Sequence, residues 1–339
     1  MTENRKKKSF VGIDYFRVVF ALFVVFIHAF DHSTGLDSFF YYVFASIAVP
    51  WFLIVSGYFA YKSFCYIVND RIYVRGRVLL KKSINIFSIY LVWVLFWMPN
   101  IVITYMDKYP GASLINIILL ILRRIFIAGQ GAYWYLLVLS EAILFLYILY
   151  ESKFANKKSD LLLCSVIIIG MILGVLYDLK IDYPINTIFY KVFSWSNNIV
   201  MKGIPFVGLG WIISKYEYVE KKISTKTFQI LCIGIFFLST SLNILMFKKI
   251  ENGVFFPIQA VSIFLYSKSI CACKEINTKS IRNISSCIYL LHQVFLNILV
   301  LFIESKITVY CVTIALCLIS WRIIEIANCN SLKKVFLMR

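Results

Sequence analysis

Ten stretches of mostly apolar residues dominate this sequence, at about 15–31, 40–61, 84–106, 133–150, 161–177, 198–214, 227–247, 254–270, 283–303 and 307–325. A membrane span needs roughly 20 such residues, because the hydrocarbon core is about 30 Å thick and a helix rises about 1.5 Å per residue. Several of the stretches are short for that thickness, so tilt or local thinning is expected. Within lipid every backbone N–H and C=O must be satisfied inside the chain, which a helix does by itself. The pattern therefore predicts an all-α, polytopic membrane helix bundle of about ten spans. Hydrophobic residues make up 61% of the 339 positions and charged residues 15%, against about 45–50% and 25% in soluble domains.

The formal charge of +18 is distributed between the apolar runs rather than gathered in a patch on a soluble fold, so nucleic acid is not an expected partner. It reads instead as a topology signal. With ten spans both termini are cytoplasmic, and 25 Lys/Arg fall on the cytoplasmic side against 9 on the outer side. The segment 114–127, "LINIILLILRRIFI", is assigned to a re-entrant or interfacial helix on the outer side; a full crossing there would reverse everything after it. The basic start "MTENRKKKSF" resembles a signal-peptide head, but no small-residue cleavage site follows, and 15–30 is read as a retained first helix. No long linker or internal repeat interrupts the chain, so residues 1–339 form one integral membrane domain with cytoplasmic tails at 1–12 and 326–339. The nine cysteines show no paired spacing and are expected as free thiols. With only three histidines, no metal site is expected.

Ionisable groups at membrane depth are costly, and they point to function by default. In "YFRVVFALFVVFIHAF" (15–30), Arg17 and His28 lie eleven positions apart, which on an ideal helix separates them by about 20° in angle and about 16 Å along the axis. Both project from one face, and Asp14 shares it at i, i+3 from Arg17. The structural alternative is an Arg that snorkels and a His that merely ends the span. In "VPWFLIVSGYF" (49–59), Ser56 and Gly57 permit close backbone approach, which is ordinary helix packing. The following "RIYVRGRVLLKKS" holds Arg71, Arg75, Arg77, Lys81 and Lys82 in a cytoplasmic basic loop, whose guanidinium forks also suit phosphate oxygens. Glu141 lies inside the fourth span, and His292, in "SSCIYLLHQVF", lies near mid-membrane, where a neutral imidazole needs a hydrogen-bond partner.

Taken in order, these motifs resemble acyltransferase family 3, membrane O-acyltransferases of surface glycans. "GIDYFRVVFALFVVFIHA" carries an Arg-x10-His pattern, "PWFLIVSGYF" a Ser-Gly motif, "GAYWYLLVL" a Trp-Tyr-Leu signature, "KGIPFVGLGWII" a Pro-Phe-x-x-x-Gly element and "CIYLLHQVF" a Tyr-x-x-His motif. The opening "GIDYFR" is also similar to the membrane module of vancomycin-resistance-type serine racemases. No racemase domain follows in this sequence, so racemase activity is not expected. Where many relatives carry Arg-Asn-Gly before the Pro-Phe element, this chain reads "WSNNIVMKGIPF", without the Arg.

The resemblance implies an enzyme of a multi-pass bacterial plasma membrane. It would transfer an acyl group, acetyl by expectation, from cytosolic acyl-CoA to a hydroxyl of a cell-surface or cell-envelope glycan or lipid-linked sugar. Acyl-CoA enters as co-substrate, with no bound cofactor, and membrane lipids surround the protein. An alcohol attacking a thioester needs a base that titrates near neutrality, the usual role of histidine, and His28 is assigned to it. Arg17 with Arg75 or Arg77 would hold the CoA phosphates, with Asp14 pairing Arg17. Ser56 would pack rather than carry an acyl intermediate, because no base adjoins it in sequence. Tyr289 and His292 would line the acceptor side, and Glu141 is a supporting candidate. Two other classes fit ten spans with polar residues at depth: a permease for a small solute such as serine, or a catalytically silent partner in surface-polymer assembly.

Overall fold

Long apolar runs with few glycines and a single internal proline form the long helices. The computed structural model describes residues 10–32, 35–68, 71–74, 76–129, 131–151, 157–179, 196–217, 225–247, 254–270 and 277–336. Its helices are α1 (Val11–Ala29), α2 (Gly35–Val43), α3 (Ala48–Phe64), α4 (Gly76–Lys108), α5 (Leu114–Arg123), α6 (Trp134–Glu151), α7 (Lys157–Asp178), α8 (Ile204–Lys215), α9 (Thr225–Phe247), α10 (Phe256–Ser269), α11 (Lys279–Leu299), α12 (Lys306–Ala327) and α13 (Asn330–Val335). The protein is a polytopic helix bundle.

Among the described residues, seven helical segments are long and apolar enough to cross a membrane: Val11–Ala29, Gly35–Phe64, Gly76–Lys108, Gly131–Tyr150, Lys158–Asp178, Thr225–Met246 and Lys306–Ala327. The other three expected spans are also helical but differ in character. α8 has 12 residues and continues a π-helical turn at Ile199–Gly203, while α10 has 14 residues. α11 is long enough but polar, carrying Lys279, Arg282, Asn283, His292, Gln293 and Asn297. The segment 114–127 is α5 followed by a π-helical turn at Arg124–Ala128. Ile117, Ile121 and Ile125 are buried along one side of it, while Leu114, Ile115, Ile118, Leu119 and Leu122 are exposed. An apolar exposed face suits contact with lipid rather than water.

One difference concerns the expected basic loop. Cys65–Val68 (β1) and Arg71–Val74 (β2) pair as an antiparallel hairpin, with Cys65 opposite Val74 and Val68 opposite Arg71. The β-branched and aromatic content of "CYIV" and "RIYV" favours extended backbone.

The chain divides into two compact units. The first takes the described parts of Met1–Phe52, Lys221–Leu245 and Ile258–Arg339. There α1 lies against α11 and α12, which also pack on each other, around buried Ala21, Val25, Ile288, Leu296, Val309 and Cys317. Phe20 stacks obliquely on the buried Trp51 with ring centroids 4.8 Å apart. α9 and α10 are clasped by Gln259, whose Nε2 donates to Thr240 Oγ1 at 2.7 Å.

The second unit takes the described parts of Leu53–Glu220 and Met246–Pro257. α4 runs along α6, joined where Ser83 Oγ donates to the Ser140 carbonyl at 2.7 Å. α3 and α8 meet backbone to backbone: a Cβ on Gly57 would fall 1.9 Å from the Val207 carbonyl oxygen, and one on Gly210 2.0 Å from that of Ile54. The π-helical turn before α8 packs on α6 and α7 and is capped by Asn198. That fully buried side chain accepts from the backbone N–H of Val200 at 2.9 Å and of Met201 at 3.0 Å. Replacing Asn198 by alanine leaves one buried and one part-buried donor unsatisfied, so a loss of about 1–3 kcal/mol is expected, measurable as a lowered Tm of the purified protein.

Candidate functional site

The first unit assembles its polar groups from α1 and α11. Near the starts of these helices Asp14 meets Arg282, and near the far end of α1 His28 meets His292, so the two helices run parallel. Asp14 is buried, and its Oδ2 accepts from Arg282 Nη1 at 2.6 Å and from Thr278 Oγ1 at 2.5 Å. Arg282 Nη1 also donates to Thr278 Oγ1 at 2.8 Å, which closes a three-membered ring of contacts. Arg17 lies further off, with Nε 3.9 Å from Asp14 Oδ1. Its backbone carbonyl accepts from Ser285 Oγ at 3.0 Å, pinning the two helices at this level. The expected Asp14–Arg17 pair is thus present but secondary. Asp14's close partner is Arg282, which local spacing could not reveal because it arrives from the other end of the chain.

One helix-length away, the His28 and His292 rings have centroids 5.3 Å apart and an interplanar angle of 31°. His28 is exposed and His292 is fully buried. His292 Nδ1 donates to the carbonyl of Tyr289 at 2.7 Å and lies 3.2 Å from that of Ile288. A carbonyl only accepts, so Nδ1 carries a proton, and full burial without a counter-ion disfavours a second, charged proton on Nε2, which keeps its lone pair. That Nε2 has no hydrogen-bond partner among the described residues. Tyr289 packs beside the pair, its ring 6.1 Å from that of His292. Continuity of α1 from Val11 to Ala29 keeps Arg17 and His28 on one face, about 16 Å apart along the axis.

The remaining candidates belong to the second unit or lie outside the described residues. Ser56 Oγ is 3.3 Å from Tyr135 Oη and sits beside the close approach at Gly57. Its surroundings are those of helix packing. Arg77 is exposed in the first turn of α4, and Arg75 lies outside the described residues. Glu141 is half-buried on α6. Lys202, at the start of the expected span 198–214, is 5% exposed within the π-helical turn. Its Nζ lies 6.0 Å from the centre of the Trp134 ring. The buried cation stands in the stretch that lacks the Arg of relatives. An ammonium within an apolar run was the signal for it in the sequence. Among the described residues no cluster of three His, Cys, Asp or Glu side chains could hold a metal ion.

The family described as an acyltransferase domain, acyltransferase family 3, matches residues 10–324. Neither a curated protein nor a solved structure matches the chain, so the likeness to the racemase membrane module rests on its motif alone.

Proposed function

Because the chain belongs to acyltransferase family 3, and is by that membership a multi-pass membrane enzyme transferring acyl groups other than aminoacyl groups, we propose that it moves an acetyl group from cytosolic acetyl-CoA to a hydroxyl of a cell-surface or cell-envelope glycan. The observation that carries this reading is the His28–His292 pair. An exposed imidazole is backed by a buried, neutral one at 5.3 Å, on the same helix face as a guanidinium about 16 Å away. That span accommodates an extended pantetheine arm, with the nucleotide phosphates at Arg17 and the thioester at His28. A bacterial plasma membrane with both termini cytoplasmic is the setting that fits.

In the proposed reaction His28 accepts the proton of the acceptor hydroxyl as its oxygen attacks the thioester carbonyl carbon. A C–O bond forms, and the tetrahedral intermediate then breaks its C–S bond. The CoA thiolate leaves and takes the proton back from His28, so an alcohol and a thioester become an ester and a thiol with no net proton released. General-base assistance of this kind is worth about 10²–10⁴ in rate. His292, neutral and fully buried beside His28, adds no charge that would oppose the transient imidazolium there. Tyr289 holds the carbonyl that fixes the tautomer of His292.

The test supplies radiolabelled acetyl-CoA to membranes containing the protein and follows label into surface glycan. Incorporation above that of membranes lacking the protein is the expected result. No incorporation, combined with uptake of labelled serine into sealed vesicles, would replace this reading with a permease.

A further inference from the structure

We infer that Arg282 is a second guanidinium of the acyl-CoA phosphate site, held in place by Asp14 and Thr278; this rests on the donor assignment proposed above. Arg282 has five N–H donors. Nη1 is used on Asp14 and Thr278, while Nε and Nη2 have no partner among the described residues. The side chain is 39% exposed, and its Nε/Nη2 edge has the spacing that binds phosphate oxygens two at a time.

The buried carboxylate holds one nitrogen of the fork in place. Asp14 is 7% exposed at its side chain and sits between Arg17 and Arg282. Burying an ion pair gains little stability over apolar packing of the same volume, so the arrangement is understood by what it positions. One carboxylate contacts both guanidiniums, and Thr278 holds Arg282 Nη1 from the other side. A charge serving topology alone needs neither a buried counter-ion nor such a hold, since any cation in the loop would do. Arg17 and Arg282 stand on neighbouring helices at the level where Ser285 bonds the Arg17 carbonyl. The two guanidiniums therefore serve one polyanion. The ligand chemistry is a phosphate or pyrophosphate group, carried on this reading by the nucleotide end of coenzyme A.

The test titrates the purified full-length protein with coenzyme A and, separately, with pantetheine, which has the same arm but no phosphates. Arg282→Gln is expected to weaken coenzyme A binding by about 10- to 100-fold, as losing a charged hydrogen-bonding group does, and to leave pantetheine binding within twofold. Arg282→Lys should recover only part of the loss, because a point charge replaces a fork. Removing Arg282 alone strands the buried Asp14 charge and risks the fold. The double variant Asp14→Asn with Arg282→Gln removes both charges, and it should restore folded yield while binding coenzyme A as weakly as the single variant. If the wild type binds coenzyme A and both variants bind it equally well, the role of Arg282 falls while the donor assignment stands. Weakening of pantetheine and coenzyme A by the same factor would also overturn it, marking Arg282 as a structural strut. Failure of the wild type to bind coenzyme A would overturn both.

Discussion

Replacing His28 by alanine is expected to lower transfer of label from acetyl-CoA by about 10²–10⁴-fold, with the protein still present in the membrane at wild-type amounts. The two halves of this expectation have separate causes. A neutral alcohol is a poor nucleophile toward a thioester until its proton has somewhere to go, and imidazole is the side chain whose basicity suits that near neutrality. His28 is exposed, and the core of its unit is carried by other residues of the same helix, among them the buried Ala21 and Val25. Truncation therefore removes chemistry without opening a core cavity. Replacing His292, which is fully buried, differs in kind: it perturbs packing as well as activity. The check is glycan labelling normalised to protein content, and equal labelling by wild type and His28→Ala would remove His28 from its assigned role.

Gly57→Ala should be the most damaging single-methyl change in the described structure. Its Cβ would lie 1.9 Å from the carbonyl oxygen of Val207, a backbone atom that no rotamer change can move aside. α3 and α8 must then separate, which unpacks Gly210 from Ile54 at the same crossing. Overpacking of this kind typically costs about 1–3 kcal/mol and more where the backbone must shift, enough to deplete a marginally stable protein. Gly234→Ala supplies the comparison, since a Cβ there meets nothing within 4 Å and alanine is the better helix former by about 1 kcal/mol. Measured as folded yield and Tm in detergent, Gly57→Ala should fall well below wild type and Gly234→Ala should match or exceed it. Equal behaviour of the two would contradict the close crossing.

Much of the architecture was legible because it is local. The length of an apolar run is a property of the run itself, and seven segments within the expected spans are long and apolar enough to cross a membrane. The less typical helices were legible as helix but not in character. α8 and α10 are short, and α11 is polar along a face that only its neighbours reveal. The pairing of Cys65–Val68 with Arg71–Val74 is hidden in the sequence by arginines that read as loop charge, whereas the β-branched residues favour the extended backbone. Ser56 and Gly57 are legible in sequence as packing residues, but their partners, Tyr135 on α6 and the α8 backbone at Val207, come only with the fold.

The site divides the same way. Helical geometry alone puts Arg17 and His28 on one face, because the rotation per residue is set by the backbone and not by the neighbours. Which groups those two residues meet is a matter of tertiary structure. Asp14 could be paired by spacing only with Arg17, three residues on, yet the closer cation is Arg282, 268 positions away. His292 stood in the sequence as a lone mid-membrane imidazole. The fold brings it to His28, and a carbonyl one turn back in its own helix decides which of its nitrogens carries the proton. Lys202 stands in the sequence as a cation at the edge of an apolar run, and the fold buries it near Trp134. The sequence by itself thus determined that this is a helical membrane protein with a histidine and an arginine on one helix face, since hydropathy and helical period act within a single segment. The partners that make those residues a site were decided only by the packing of α1 against α11, because contacts between distant segments exist only once the apolar faces have found each other.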